Sequence, residues 1–464
     1  MSDKKSIVIA GAGIAGLTLA YKLLEAGVTT PVILVEKENK VGGLARSFTY
    51  HHNSDTFVFD IGPHRYHSDD KAVMDFVLKI LGDDHIEIGR ASSVWMYDHY
   101  HNWPLRINTV FKLPFWLMCK STLDMLIKKK AKSESFEDFI IEKYGKSLYM
   151  VFFKPYTEKF LKYDCSQLHS DWAKTGINRA VIDKRVKADS LIDVVRSTLI
   201  PKPVDTKFIY PKSGGNDVFC LYLEQKIREM GGRILLSSQI TSIDAKGKDI
   251  ESVIVNDSEK IDVKNMFWSA PIPVLLNLLH LDDKLPKLEY LGLVLANYLI
   301  DAPPEQMFQW CYFGTEKSPV SRISIPTMFN PSLTPQGKSG LCVELTCMEG
   351  DGIWKHPERM DVVIEDFLVD ARVVARFNDF IDVKFERIPN AYPIYTLNYP
   401  RKLGLIFNAL HNFRNLLNFG RTGSFWYNNQ DHSIAQAMEI ADYYMQAPEA
   451  FDPGKFKFER DFTK

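Results

Sequence analysis

The stretch from Ser6 to Arg46, SIVIAGAGIAGLTLAYKLLEAGVTTPVILVEKENKVGGLAR, constrains the fold of this chain more than any other. An apolar run, Ile7 to Ile9, feeds Gly11, Gly13 and Gly16, and apolar residues then recur at Ile14, Leu17, Tyr21 and Leu24 with helical spacing. That order predicts a strand, a tight turn and a helix opening at Ile14 and Ala15. A second apolar run, Pro31 to Val35, ends in Glu36 and Lys37, with Glu36 twenty positions beyond Gly16. Strand, glycine turn, helix, strand and terminal acid together make a dinucleotide fingerprint. Gly11 permits the turn, Gly13 lets the backbone approach a pyrophosphate, and Gly16 lets the helix pack on the strand. The helix N-terminus supplies free N–H groups and a positive dipole end for the anion, and Glu36 stands where a carboxylate meets a ribose hydroxyl.

The residues after Lys37 bear on the choice between nicotinamide and flavin. Val41, Gly42, Gly43, Leu44, Ala45 and Arg46 form a second glycine turn with a cation directly after the ribose-binding strand. This resembles the GG motif of the glutathione-reductase-type FAD proteins, which continues the cradle along the dinucleotide. The resemblance implies FAD as cofactor.

Composition narrows the remaining classes. A chain of 464 residues is long enough for two or three domains, and its net charge of −1, from 57 basic and 58 acidic residues, gives no reason for a nucleic-acid partner. Six cysteines lie scattered with no CxxC pair and no neighbouring His cluster, so neither zinc nor a disulfide framework is implied and a cytoplasmic setting fits. Apolar runs stay short of the eighteen or so residues that a membrane span needs.

Phe57 to Phe59 reads as a short strand running into Asp60, Ile61, Gly62, Pro63, His64, Arg65, Tyr66 and His67, a loop carrying a titratable ring. Taken alone it is a surface loop whose histidine bonds to backbone. With Ser68, Asp69 and Asp70 behind it, the phrase resembles the Gly-Pro-His loop of the UDP-galactopyranose mutases. The resemblance implies that Gly62, Pro63 and His64 lie against the flavin. Phe152, Phe153, Lys154, Pro155, Tyr156, Thr157, Glu158 and Lys159, then Ser166 to Leu168 and Asp171 to Ala173, resemble the same family and the wider group containing protoporphyrinogen oxidase. Arg322, Ile323 and Ser324 match a family strand whose arginine grips the substrate diphosphate. Tyr392, Pro393 and Ile394 match a Tyr-Pro turn that brings a phenol toward a sugar pocket.

Leu416 to Phe419 reads as a strand ended by Gly420 and Arg421, Tyr427 to Asp431 as a polar loop, and Ser433 onward as a helix. An arginine at position 421 can take a pyrophosphate bidentately, and the helix N-terminus can face the pyrimidine edge of a flavin. Tyr427, Asn429, Gln430, Asp431 and Ser433 follow the mutase pattern. Between these motifs, Gly89 to Pro114 suggests a hairpin. The apolar stretch Val110 to Ile127, with Lys128, Lys129, Lys130 and Lys132 after it, reads either as a buried helix with a solvated tail or as a segment resting on an anionic membrane. Helical patterns run from Phe136 to about Leu199 with a break at Gly145. Val218 to Met230 reads as a helix, Ile234 to Ser242 as a strand and Met266 to Ala270 as a returning strand; the resemblance implies that Ile240 packs near the adenine. Leu291 to Phe385 is strand-like with long loops.

The expected fold class is α/β. It comprises a Rossmann-like FAD-binding domain of glutathione-reductase type, a helical insertion, and a second mixed β-sheet substrate domain. The expected divisions are 1–100, 205–288 and 405–450 for the FAD-binding domain, 101–204 for the helical cap, 289–404 for the substrate sheet and 451–464 for a tail. The resemblance implies a flavoenzyme with His64, Arg322, Tyr156, Tyr392 and Tyr427 at the reacting centre. One reading is an oxidoreductase acting on a nucleotide- or lipid-linked sugar, with NAD(P)H or another redox partner. A second is a non-redox, mutase-like ring contraction using reduced FAD, and a third is a flavin-binding protein without catalysis. Two departures bear on the choice: the family's catalytic arginine falls on Thr175 and its uridine-side tryptophan on Leu161, with Arg179 one helical turn beyond the first.

Overall fold

The structure, a computed structural model, describes residues 5–103, 115–126, 133–176 and 207–458. Strands β1 (Ser6–Ala10) and β2 (Val32–Val35) pair in parallel, and the helix Ile14–Glu25 crosses between them. Every residue of both strands is buried, which is why each reads as an unbroken apolar run rather than an alternating one. The two-stranded β3 (Ser47–His52) and β4 (Asp55–Asp60) come after them, and β4 delivers the chain into the Gly-Pro-His loop. Next are β5 (His85–Gly89) and the hairpin β6 (Ser92–Met96) with β7 (His99–Asn102), within the stretch that reads as a hairpin in the sequence.

After the helical segment, β8 (Lys207–Pro211) pairs with β5, and the helix Val218–Glu229 leads to β9 (Arg233–Leu235), β10 (Ile240–Lys246), β11 (Asp249–Val255) and β12 (Glu259–Trp268). The first sheet runs β10-β11-β12-β1-β2-β9, with β18 (Leu416–Asn418) on the far end of β12. Two sequence expectations are corrected by this sheet. Ile234 to Ser242 is not one strand: Ser237 turns with φ 47°, and the N–H groups of Ser237 and Ser238 donate to the carbonyls of Glu38 and Glu36 instead of continuing a ladder. Met266 to Ala270 is not a separate strand either. It is the end of β12, whose earlier residues pair antiparallel with β11 and whose later ones pair parallel with β1, closing at Trp268.

The second sheet runs β17-β13-β16-β15-β14-β6-β7, built from β13 (Tyr290–Ile300), β14 (Trp310–Phe313), β15 (Arg322–Ser324), β16 (Ser339–Cys347) and β17 (Phe380–Pro393). β13 and β16 are buried throughout. The region read as strands with long loops, Leu291 to Phe385, also contains the helix Asp361–Asp370, which buries Ile364 and Leu368. Tyr392 and Pro393 form no turn. They end β17, opposite Leu291 and Tyr290.

In the helical segment, Ser135 caps Phe136–Tyr144 by accepting from the Asp138 N–H, and Gly145 ends that helix with φ 85°. A short helix, Lys146–Leu148, and a π-helical turn, Tyr149–Phe153, lead into the helix Lys154–Leu161; Asp171–Gly176 is helical further on, and Arg179 lies outside the described residues. On the helix Phe115–Leu126, Leu117 is buried while Trp116 and Leu123 are exposed, and the lysines after it also lie outside the described residues. Among the described residues no helix is long and apolar enough to cross a membrane.

Candidate cofactor and substrate site

A cavity of about 710 Å³ runs from the glycine turn to the edge of the second sheet. Its first half is made of backbone. Gly11 has φ +97°, and a Cβ there would stand 2.6 Å from Ser269 Oγ. Gly13, Ile14 and Ala15 line the cavity, and Gly13 caps the helix with no side-chain bond to its first N–H groups. A Cβ on Gly13 would meet nothing closer than Gly43 Cα at 3.9 Å, so the space it would enter belongs to the cavity. Gly16 does not line it. A Cβ there would fall 2.0 Å from the Gly11 carbonyl oxygen, which makes Gly16 the close-packing glycine of the turn.

The Glu36 carboxylate is fixed by two backbone donors, Ala12 N–H at 2.8 Å and Glu38 N–H at 3.0 Å, and its remaining lone pairs face the cavity beside Lys37. Gly43, Leu44, Arg46 and Ile240 line the same end. Arg46 is held 3.0 Å from Glu38.

The second half is made of side chains. Pro63 and His64 line the cavity, whereas Gly62 sits beneath, where a Cβ would press on Glu344 Oε1 at 2.7 Å and Arg322 Nη2 at 3.0 Å. Burial, then the charges of Arg322, Arg421 and Arg65, push the His64 pKa down to about 3, so the ring is neutral at ordinary pH. Arg322 forks onto the fully buried Glu344, Nε to Oε1 at 2.6 Å and Nη2 to Oε2 at 2.8 Å, and Nη2 also donates to the Tyr392 hydroxyl at 3.2 Å. Burial opposes its charge, but Glu344 and the phenols outweigh that and raise its pKa. The guanidinium expected to grip a diphosphate is therefore already balanced by a carboxylate.

Arg421 departs from expectation in the same way. Its fork spans two backbone carbonyls, Ala391 at 2.9 and 3.2 Å and Asn428 at 2.5 Å, rather than standing open for a pyrophosphate. Its flat faces lie over Tyr392 and Tyr427, 5.1 and 4.6 Å from the ring centroids. Tyr427 stacks on Trp172 at 4.7 Å and crosses Tyr392 at 5.5 Å. Tyr156 does not line the cavity but packs behind it on Phe160 and Tyr312, and burial raises its pKa. Lys159, one turn on, donates to the carbonyls of Phe313, Thr315 and Val320 and so ties this helix to the loop between β14 and β15.

The last helix spans Gln430–Gln446, three residues longer at its start than expected, because Asn429 and His432 form a reciprocal capping box. Gly420 has φ +73°, and a Cβ there would stand 3.1 Å from Ala15 Cβ, so this turn packs directly on the glycine-turn helix. Ser433 accepts from Asn428 Nδ2 at 3.0 Å. Both amide atoms of Gln430, Asn428 Oδ1, His64 Nδ1, Arg65 Nε and Arg46 Nε are buried without a protein partner, and every one of these residues lines the cavity. Buried polar atoms are nearly always satisfied, so this set fits a large polar ligand lying along the cavity.

Sequence reasoning passed over Glu344, Arg65, Trp172 as a stacking partner, and Ser269. A signal for Glu344 existed: an acid inside the apolar run Leu341 to Leu345 must be buried and must find a cation. Thr175 is buried with its hydroxyl on the Asp171 carbonyl at 2.8 Å, and Leu161 is core, so neither supplies the group the family has there.

Residues 9–80 match the model of the NAD(P)-binding Rossmann-like domain. A Klebsiella pneumoniae protein named "Probable UDP-galactopyranose mutase" is 27% identical over 162 residues, which cover 34% of this chain and 41% of that protein. The L-amino-acid oxidase of Naja atra is 37% identical over 78 residues, 17% of this chain and 15% of the oxidase. The chain thus spans less than half the length of these curated relatives. Among solved structures, reduced UDP-galactopyranose mutase superposes with a TM-score of 0.81 at 20% identity, over 96% of this chain and 95% of that one. A protoporphyrinogen-oxidase-like protein of Exiguobacterium sp. 255-15 gives 0.72 at 16% identity, over 95% and 98%. The homologues and structural neighbours of this chain are accordingly UDP-galactopyranose mutase and protoporphyrinogen-oxidase-like FAD-binding flavoproteins.

Proposed function

We propose that this chain is an FAD-dependent oxidoreductase acting on a nucleotide- or lipid-linked sugar. The observation that carries the reading is one continuous cavity that joins the glycine turn to the neutral His64 and to Tyr392 and Tyr427, with unsatisfied polar atoms along its length. Gly11, Gly13, Ile14 and Ala15 would hold the pyrophosphate, Glu36 the ribose, and Lys37, Gly43, Leu44, Arg46 and Ile240 the adenosine side. Pro63, His64, Gly420, Asn429, Gln430 and Ser433 would hold the ring end. Bound FAD supplies N5 as the atom that takes up or returns a hydride.

This chain's own residues bind, orient and exclude water. The neutral His64 can give or accept a hydrogen bond beside the ring without adding a charge. Tyr392 keeps its proton, because burial raises its pKa, so it acts as a donor toward an oxygen of the sugar. Tyr427 on Trp172 forms a flat wall for the substrate, Tyr156 supports it from behind, and Arg322 aligns Tyr392. In the direction where the sugar gives its hydride to the flavin, a redox partner that accepts two electrons must reoxidise the flavin in each turnover; NAD(P)H serves only the reverse direction, as the donor. The mutase reading is favoured by the likeness to reduced UDP-galactopyranose mutase over nearly the whole chain. Against it stands Thr175, which offers no charge to a departing diphosphate. Anaerobic mixing of the oxidised, FAD-loaded protein with a panel of nucleotide sugars decides between them. Substrate-dependent bleaching of the flavin is expected, whereas many turnovers by pre-reduced protein, yielding a ring isomer with no acceptor consumed, would establish the mutase instead.

A further inference from the structure

The Gly-Pro-His loop carries a second feature that the cofactor reading leaves unused. Arg65 lines the cavity, and its guanidinium is wedged against Phe208 and Trp310, 4.9 and 4.7 Å from their ring centroids. Arg90, on the connection between β5 and β6, lies over the same Trp310 ring at 5.6 Å. Their protein hydrogen bonds are few: Arg65 Nη1 donates to the Pro63 carbonyl at 3.0 Å and Arg90 Nε to Ser92 Oγ at 2.9 Å, while Arg65 Nε is buried with no partner. Arg322, nearby, has its own carboxylate in Glu344. Among the described residues neither Arg65 nor Arg90 is in an ion pair. The carboxylate whose field reaches Arg65 is Asp431, which sits 3.6 Å from His432 on the final helix.

Desolvated like charges without a counterion are costly, and proteins retain them where a ligand brings the opposite charge. Burial first, then the neighbouring Arg90 and Arg322, lower the Arg65 pKa to about 10, still far above neutrality, so both guanidiniums remain charged and crowded. A single carboxylate would balance one of them. A phosphate or diphosphate held by Arg65 matches its guanidinium fork and carries enough charge to offset Arg90 as well, which stands behind the cavity wall on Trp310. The glycine turn already offers its own donors to the cofactor's pyrophosphate, so this anion is a different one. We propose that Arg65, backed by Arg90, forms a separate subsite for a phosphate or diphosphate group of the substrate, and that this pair rather than Arg322 carries the charge recognition. The inference rests on the proposed function only for the presence of the cofactor and the class of ligand.

The test is calorimetric titration of inorganic pyrophosphate into the FAD-saturated protein, with bound FAD measured in each variant. Arg65→Gln is expected to weaken pyrophosphate binding about ten- to a hundredfold with FAD content unchanged, in line with loss of a charged hydrogen bond. Arg65→Lys should fall between the two, and Arg90→Gln should weaken binding less than Arg65→Gln; both serve if Arg65→Gln does not fold. Equal affinity in wild type and the Arg65 variants would overturn the subsite, as would acetate binding as tightly as pyrophosphate. No turnover is needed. Pyrophosphate bound at Arg65 by a protein that processes no nucleotide sugar would sink the sugar reading and leave the subsite standing.

Discussion

The two halves of the cavity are built on opposite principles. The glycine half draws on residues 11–16 and 36–46, and it works by what is missing: no Cβ at Gly13, no Cβ at Gly16, and N–H groups left open at the start of a helix. The arginine half gathers residues as distant as His64, Trp172, Arg322, Tyr392 and Tyr427, and it works by what is present: guanidiniums, phenols and the buried Glu344. One half stores little energy and waits for an anion. The other has balanced most of its charge internally, Arg322 on Glu344 and Arg421 on two carbonyls, and leaves Arg65 as the exception. At Gly13 the cradle can therefore be altered without unfolding the protein, whereas Gly11 and Gly16 are closely packed and Arg322 depends on its buried carboxylate.

That contrast breaks most sharply at Glu344. Glu344→Ala strips the carboxylate from a buried Arg322 and is expected to cost about 3–5 kcal/mol of stability, the usual penalty for orphaning one member of a buried pair. Urea unfolding measures it, and a loss below about 1 kcal/mol would mean that the pair relaxes into solvent. Gly13→Leu probes the other half. Its φ of −72° and ψ of 177° suit any residue, a Cβ there would meet nothing closer than 3.9 Å, and the rest of the side chain would enter the cavity, so unfolding should be near wild type. FAD affinity should nevertheless fall at least about tenfold, or 1.4 kcal/mol. A folded Gly13→Leu protein carrying one FAD per chain would remove the cradle assignment.

Legibility divides along the same line. The glycine half could be read from the sequence because its determinants lie within one strand-helix-strand unit and its spacing is set by backbone geometry. Gly11, Gly13, Glu36 and Gly43 all stand at the cavity. In the arginine half the residue types could be named from the motifs, but their partners could not. Nothing local tells Arg322 that Glu344 lies opposite across β15 and β16, or Arg421 that the Ala391 carbonyl will occupy its fork. The strand errors have the same origin. The chain from Ile234 to Ser242 has apolar residues enough for one strand, yet the carbonyls of Glu36 and Glu38 draw its middle away.

The smallest effect belongs to His64, and pH isolates it. In the folded protein its pKa is about 3, against 6.5 for the free side chain, because burial and the arginines disfavour the imidazolium. Between those values the unfolded chain takes up a proton that the native ring refuses. Stability from this residue is thus complete above about pH 6.5 and declines as pH falls toward 3, by at most about 2 kcal/mol at pH 5. Asp60 acts with the opposite sign in part of the same window. Burial, against hydrogen bonds from Ser47, Tyr210 and Asn216, raises its pKa from 3.8 to about 6, so acidification through pH 6 favours the native state. The wild-type melting curve alone therefore mixes opposing trends, to which burial of His67 and Asp217 adds. His64→Gln removes one contribution and leaves the others in place, so the variant should lose less stability than wild type between pH 7 and pH 5 while matching it near pH 7 apart from a constant offset. Scanning fluorimetry across that range reads the difference. Parallel curves for the two proteins would mean that His64 is solvated and free to charge, and the contrast between a neutral ring and a cationic surround would have to be abandoned.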